Sequence, residues 1–579
     1  MSDLVIVSNR GPFSFTDKLL ENAENMLESG DTSGRPIFGE GGLVRAMAGL
    51  LRGGSWTPTW IGASMGERDI EVARGYYTEL FNKMESSGFA PELFPYIRIE
   101  PDSRMHFLYG DFDFFMRFVF FDTRHMHSYY SKFANGFLWP LLHLTRSPAF
   151  YKQCRTFPRP YFEKNDFVQY TSSNVTFANV VVNEIRKSGE LMKEGDNIVV
   201  WNQDYHLMEI AEVFKALLRE EGFSKEKTER IHLGQFLHTP FFNIHDIQGL
   251  IREDKRMRVK EQVFEPFGES IESALQRLTW GLLNNDFIGF HTKEYCDNYL
   301  QALQEWFPVD IRMNDRFYEI RLRDRITTVG SFPIGLDVDG ILDEVGPDVS
   351  LDYTFDGRGL NDCIQRDKAE GKIVFGGLER CDYTKGLLER LGIFAHALKG
   401  LQSRGKDARL YQISAPSRSD NPDYQYLNQA LADEVEKVNE RLGVEAVIHL
   451  NKGVNPPQNY RFMKNVDAML VTPLEDGMNL VAFEFILSQK YRPVRSRGVL
   501  VISTSGASRV LKEMGFDEAH GVVYVNAMRP KNAGEKIVEI LQKGMGVSDQ
   551  LIEYVERERR VDDWAEKNIE AILESRKRS

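Results

Sequence analysis

Cysteine is scarce. The 579 residues hold four, Cys154, Cys296, Cys363 and Cys381, none of them in a Cys-x-x-Cys spacing. Such scatter gives neither a disulfide framework nor a zinc knuckle, and it fits free structural thiols in a reducing compartment. Excess positive charge is also missing: 72 Lys and Arg face 85 Asp and Glu, a net charge of −13. That balance argues against a general binder of nucleic acid or anionic membrane. No uncharged apolar run approaches the roughly 18 residues that span a bilayer. The start, Met1-Ser2-Asp3-Leu4, lacks the basic and apolar regions of a secretion signal. There is no solenoid-period repeat and no low-complexity linker. The expectation is a cytoplasmic chain with neither nucleic acid nor membrane as partner.

What is present is ordinary globular material, 42% hydrophobic and 27% charged, in a chain too long for one core. Short apolar runs alternate with helix-length segments. In the second half they are Ile373 to Phe375, Leu410 to Ile413, Val447 to Leu450, Ala468 to Val471, Val499 to Ser503 and Val522 to Val525. A similar alternation in the first half, through Leu4 to Ser8, Asn197 to Trp201, Ile231 to Leu237 and Phe287 to Phe290, predicts α/β architecture: two doubly wound parallel sheets facing across a cleft. Residues 14 to 37 read as a polar hairpin or loop, and Leu551 to Ser579 as a charged, helical segment with Trp564, Ile569 and Ile572 as its apolar face.

The central stretch is Leu470-Val471-Thr472-Pro473-Leu474-Glu475-Asp476-Gly477-Met478-Asn479-Leu480, running on to Glu484. A buried strand, a Gly-containing turn and a helix start offer free amides at the carboxyl end of a sheet, which suits a phosphate or diphosphate. Alone, it fits equally well any βα turn with two solvated acids. Arg380 and Lys385 fall in the loop after the Ile373 strand, where two cations can neutralise a leaving group. Arg10 leaves the first strand toward where α/β ligands bind, although an exposed loop arginine is the default reading there. Asp204, His238 and His291 follow later strand ends, where capping or packing is common, yet three polar groups at equivalent positions suggest one shared cleft. Gly41 and Gly42 open a helix and allow close backbone approach.

Taken in order, Ser8-Asn9-Arg10, Gly41-Gly42-Leu43, Tyr130, Trp139-Pro140, Asp204-Tyr205-His206-Leu207, Phe236-Leu237-His238, Phe332-Pro333-Ile334-Gly335, Glu379-Arg380, Asp382-Tyr383, Lys385-Gly386, Pro416-Ser417-Arg418 and Asp476 to Glu484 resemble the trehalose-6-phosphate synthase family of retaining glycosyltransferases, glycosyltransferase family 20. The resemblance covers roughly residues 4 to 570. It implies a GT-B arrangement of two Rossmann-like domains: 1–333 binding the acceptor, 334–555 binding the nucleotide-sugar, and a helix at 556–579 crossing back. It implies that Arg380 and Lys385 grip the donor diphosphate, that amides around Asn479 and Leu480 support it, and that Glu484 holds the ribose. Asp476 and His238 address the glucose, Gly41 and Gly42 close over the donor, and Asp204 sits by the acceptor hydroxyl. Arg10, Tyr130, Trp139 and Arg418 hold the acceptor phosphosugar.

The implied reaction moves glucose from a nucleoside-diphosphate-glucose, UDP-glucose first, to glucose 6-phosphate with retention, giving trehalose 6-phosphate. No cofactor and no metal are implied, and Asp337-Val338-Asp339 reads as a loop pair rather than a metal motif. The alternatives are a glucosylglycerol-phosphate synthase, a related transferase with another phosphorylated acceptor, and a non-catalytic sugar-phosphate-binding paralogue. A two-carboxylate glycosidase has no specific support, since 85 acidic residues always supply some pair. Gln203, Thr239, Phe241-Phe242-Asn243, Phe483, Met463 and Lys464 depart from the usual pattern and leave the nucleotide open. Homo-oligomerisation is left open too. No phosphatase domain is expected.

Overall fold

The computed structural model describes residues 3–12, 15–29, 47, 58–87, 96–100, 104–109, 112–144, 158, 160–191, 196–260, 270–322, 325–346, 354–355, 358–418, 421–453 and 456–576. The chain forms two compact units. The first holds Met1–Trp139, Pro160–Phe332 and Val561–Ser579; the second holds Pro140–Arg159 and Pro333–Arg560.

The first unit is built on one sheet of eleven strands: β1 (Asp3–Arg10), β2 (Thr59–Ala63), β3 (Tyr96–Ile99), β4 (Met105–Tyr109), β5 (Phe112–Val119), β6 (Ile198–Gln203), β7 (Ile231–Phe236), β8 (Phe287–Phe290), β9 (Asp310–Asn314), β10 (Phe317–Leu322) and β11 (Arg325–Ser331). Their order is β3-β4-β5-β2-β1-β6-β7-β8-β11-β10-β9. The middle, from β5 to β11, is parallel. Antiparallel hairpins extend both edges. The doubly wound expectation therefore describes the centre, and the hairpins are an addition to it. Leu4 to Val7 and Ile198 to Trp201 are buried throughout, as a parallel strand covered on both faces requires.

Residues 14 to 37 need correcting. Helix α1 (Asp17–Ser29) occupies much of that stretch, because Leu19, Leu20 and Ala23 give it a buried face. Helix α2 (Lys164–Leu191) covers the sheet with Phe177, Val181 and Ile185.

The second unit carries a short ribbon, β12 (Thr354–Phe355) with β13 (Arg358–Gly359), and a six-stranded sheet: β14 (Ile373–Arg380), β15 (Ala408–Ala415), β16 (Val447–Leu450), β17 (Ala468–Val471), β18 (Val499–Ile502) and β19 (Val522–Tyr524). The order β16-β15-β14-β17-β18-β19 is parallel throughout. The chain reverses direction across the sheet between β14 and β17, so the loops after those strands flank the switch point where ligands of open α/β sheets bind. Helix α3 (Leu387–Gln402) follows β14, α4 (Val481–Ser488) follows β17, and α5 (Gly506–Glu513) follows β18.

One further correction and one refinement concern ends of elements. Asp337 is not in a loop pair but caps the helix Val338–Val345, its Oδ1 accepting from Gly340 N at 3.2 Å. The stretch from Leu551 onward is two helices, Asp549–Glu558 and α6 (Val561–Ser575). The last of these belongs to the first unit. There Trp564 Nε1 donates to Phe332 O at 3.0 Å and its ring lies 5.2 Å from that of Trp201.

Candidate active site

Parallel pairing places the candidate residues of the first unit along the carboxyl edge of its sheet. Arg10 ends β1 exposed, and its Nη2 donates to the Tyr130 hydroxyl at 2.7 Å. Tyr130 belongs to a π-helical stretch, His127–Leu138, a backbone form that recurs at functional sites. The Tyr130 ring stacks on His206 at 5.7 Å. Trp139 lies 5.8 Å from Tyr205. The sheet side of this cluster is fixed by buried hydroxyls: Tyr129 donates to Asn9 Oδ1 at 2.7 Å, Tyr205 to Asn135 Oδ1 at 2.8 Å, and Tyr170 to Tyr205 O at 2.7 Å. Arg10, Tyr130 and His206 thus form one stack, with Tyr205 carrying Trp139 beside it. His206 and Tyr205 had no role in the sequence reading, although they adjoin Asp204.

Asp204 follows β6 with φ 68° and ψ 177°, a backbone region that is nearly glycine-only. Its Oδ1 accepts from His238 N at 3.2 Å, and Gln235 Nε2 donates to its carbonyl at 2.8 Å. His238 Nε2 donates to Gln203 Oε1 at 3.0 Å. Burial, aided by the neighbouring His291, holds the His238 imidazole well below its usual range. Burial likewise takes His291 down to about 3 against the backbone bonds to Phe332 and His238. Both rings are neutral at pH 7, so they act as hydrogen-bonding groups and not as cations.

In the second unit β14 runs on to Arg380, because Glu379 and Arg380 continue the ladder against Ser414 and Ala415. Arg380 is therefore a strand residue rather than a loop residue. It is exposed, with Nη1 3.4 Å from Ser417 Oγ. Asp382 accepts at Oδ1 from Thr384 N at 3.1 Å and so forms the tight turn before Lys385. Gly386 then has φ 60°, and a Cβ there would lie 2.2 Å from Thr472 O; only glycine permits that approach. Leu474 N donates to Thr384 O at 2.7 Å, which ties the loop after β17 to the loop after β14.

Those ties bring Lys385 onto Asp476. The ammonium pairs with Asp476 Oδ2 and lies 3.7 Å from Glu379 Oε2. Burial disfavours the charged amine, but Asp476 and Glu379 outweigh it, and the net effect raises its pKa. Asn479, left-handed at φ 56°, donates to Glu379 Oε1 at 3.0 Å and to Asp476 Oδ2 at 3.1 Å. Asn479 and Leu480 precede the first intrahelical donor of α4, so the helix gives their amides no partner. Glu484 is buried in the first turn of α4. From behind, Gly506 N and Ala507 N of α5 donate to Asp476 O and Met478 O at 3.0 and 2.9 Å.

Arg418, at φ 48°, is 3.2 Å from Asp382 Oδ2 and bonds the Tyr424 hydroxyl. Burial pushes the Asp382 carboxyl up, but Arg418 and Arg380 more than reverse this and leave it lowered. Gly41 and Gly42 lie outside the described residues. Among the described residues, no group of three or more His, Cys, Asp or Glu could hold a metal ion, and no helix is long and apolar enough to cross a membrane.

Comparison with known proteins agrees with this architecture. The family model described as glycosyltransferase family 20 matches residues 3–247 and 273–572. The UDP-forming alpha,alpha-trehalose-phosphate synthase of Pichia angusta is 28% identical over 569 residues, covering 96% of each chain. The 56 kDa subunit of the same enzyme from Saccharomyces cerevisiae is 28% identical over 71% of this chain and 70% of its own. Among solved structures, a Burkholderia xenovorans alpha,alpha-trehalose-phosphate synthase in complex with glucose-6-phosphate superposes with a TM-score of 0.67 at 21% identity, covering 99% of this chain and 100% of that one. An E. coli protein bound with UDP-2-fluoro glucose gives 0.61 at 20%, covering 99% and 96%. At such identities the two structures show a shared fold.

Proposed function

The chain belongs to glycosyltransferase family 20, and from that premise we propose that it transfers glucose from UDP-glucose to glucose 6-phosphate with retention, forming trehalose 6-phosphate. The observation that carries the reading is the convergence of Arg380, Lys385, Asp476 and the first amides of α4 at the switch point of the second sheet. A cationic, amide-rich strand edge suits a diphosphate. The names of the relatives and the ligands bound to the structural neighbours, glucose-6-phosphate and UDP-2-fluoro glucose, support the same donor and acceptor.

In this reading the bond from the sugar's anomeric carbon to the diphosphate oxygen breaks, and the acceptor's anomeric hydroxyl oxygen attacks from the same face. Its proton passes to the departing phosphate oxygen, and UDP leaves. Lys385 and Arg380 stabilise the charge that develops on the leaving group. Asp476 and His238 orient the glucose, Glu484 takes the ribose, and Asp204 stands by the acceptor hydroxyl. Arg10, Tyr130 and Trp139 present the acceptor phosphosugar, and Arg418 is read as a further phosphate ligand. The protein works in the cytoplasm and needs no cofactor beyond the co-substrate.

The test crosses UDP-, GDP- and ADP-glucose with glucose 6-phosphate and glycerol 3-phosphate, and reads the product's anomeric configuration by NMR. Retained trehalose 6-phosphate from UDP-glucose and glucose 6-phosphate is expected. Preferred transfer to glycerol 3-phosphate, or no transfer with any pair, overturns the reading.

A further inference from the structure

Arg390 is a charged side chain with no exposed surface. It sits in the first turn of α3, and all of its nitrogens face protein. Nε donates to Thr472 Oγ1 at 3.0 Å, Nη1 donates to Gln412 Oε1 at 3.2 Å, and Nη2 lies 3.5 Å from Glu379 Oε1. Space for it comes from Gly377, where a Cβ would lie 2.3 Å from Gln412 Oε1 and 2.9 Å from Arg390 Nη1. The arginine has no route to a ligand. Its ion partner Glu379, 7% exposed, is also the partner of Lys385 and Asn479.

Charge makes the arrangement informative. Glu379 and Asp476 put two negative charges beside Lys385, and in a buried setting charges must be matched. Arg380 is exposed and also acts on Asp382, so among the buried groups Lys385 alone leaves Glu379 and Asp476 one charge short, which works against an incoming diphosphate. Lys385 with Arg390 brings them to neutrality, so Arg390 can hold Glu379 when Lys385 turns to a phosphate. A guanidinium suits the place because it stays protonated when buried and can face three acceptors in one plane.

We propose that Arg390 is the buried counter-charge that lets the donor site accept a diphosphate, a positioning residue that never touches the ligand. This rests on the reading that the site binds UDP-glucose, and the unmutated protein tests that reading separately. Isothermal titration with UDP and NMR titration with uridine are run on the full chain, on Arg390→Met, on Glu379→Gln and on the double variant. Failure of the unmutated chain to bind UDP sinks the donor assignment itself.

Given that binding, Arg390→Met should weaken UDP about tenfold or more, the size of a lost charge interaction at this depth, while uridine changes less than about threefold. Glu379→Gln added to Arg390→Met should restore most of the UDP affinity, since one lysine then faces one carboxylate. Equal losses for UDP and uridine, or a double variant no tighter than Arg390→Met, overturn the proposal. If Arg390→Met does not fold, Arg390→Lys takes its place with the same two ligands. A buried lysine there sheds its proton at lower pH, so its UDP affinity should fall with rising pH while that of the unmutated chain holds; parallel pH profiles overturn the proposal.

Discussion

Arg10 in the first unit and Lys385 in the second carry the same charge and live differently. Among the described residues, Arg10 is exposed and its partner is a phenol, Tyr130. Lys385 is matched by Asp476 and Glu379, as Arg418 is by Asp382. An exposed cation is solvated by water, whereas a buried one needs a carboxylate to exist at all. An anion therefore adds to Arg10 but must exchange with carboxylates at Lys385. The first arrangement gives affinity that salt screens; the second places charge where water is excluded, which is where stabilising a leaving group is worth most.

The sharpest way to break this contrast is to remove each cation in turn. Lys385→Ala should lower kcat by about 10²- to 10³-fold, the scale of a lost transition-state contact, and Arg380→Ala should act in the same direction. Wild-type rates in both would end the leaving-group role. Arg10→Ala should instead raise the acceptor KM about tenfold or more with the donor KM unmoved, and without loss of stability. Arg418→Ala should raise the acceptor KM too. It should also cost roughly 3 kcal/mol in chemical denaturation, because it strips a partner from fully buried Asp382. Equal stability of the two arginine variants would erase the distinction.

How much of this could be read from residue order varies from place to place. Strands β16 and β17 have the bounds expected of them, since each is an apolar run closed by turn chemistry. Strand β14 outran its apolar core: Glu379 and Arg380 look like loop residues until β15 supplies their ladder partners. Helix α1 was hidden by polar composition, its few buried residues being enough to hold it. The break at Arg559-Arg560 contains neither Gly nor Pro and gave no signal. Arg380 and Lys385 stand out as two cations at a strand end, and Asp476 as an acid in a Gly-containing turn. Arg390 does not, because a charged residue in a first helical turn reads as solvated. Its burial depends on Gly377 and Gln412 in neighbouring strands.

Acid should weaken the first unit more than the second. His291 has a pKa of about 3 in the folded chain and about 6.5 unfolded. The unfolded chain therefore binds the extra proton first, and stability falls as pH drops from about 6.5 toward 3. The slope is about 1.4 kcal/mol per pH unit from this one group, and His238, shifted the same way, adds to it. In the second unit burial also lowers His449, though less than His291 and His238, so the same acid fall is present there but weaker. Asp382 is lowered as well, and its contribution is intact above about pH 4 and lost only below that. The ranges of the second unit contain no tryptophan, and the six described tryptophans lie in the first, so tryptophan fluorescence does not report on the second unit. The first unit's unfolding midpoint should fall between pH 6.5 and 4, and His291→Gln should flatten the fall. A pH-independent midpoint over that window would remove the histidine account.

The smallest effect concerns the backbone, where the two units resemble each other. The described non-glycine residues with left-handed φ are Asp204, Asp315, Arg418 and Asn479. Asp315 turns the β9–β10 hairpin, and the other three belong to the candidate site. A strained residue persists only where its surroundings hold it in place, so each of these positions should prefer glycine to alanine, against the usual order. Alanine and glycine both delete the side-chain contacts, and their difference isolates the strain. Asp204→Gly should exceed Asp204→Ala in stability by about 1–2 kcal/mol, since φ 68° with ψ 177° is nearly closed to residues with a Cβ. For Asn479 the same comparison should give about 1 kcal/mol, the ordinary cost of the left-handed region. Neither glycine variant should recover activity, because the Asp204 carboxylate and the Asn479 amide are lost with the side chains. Alanine as stable as glycine at Asp204 would mean that the backbone there relaxes freely, and that its conformation is set by local turn preference rather than by the site.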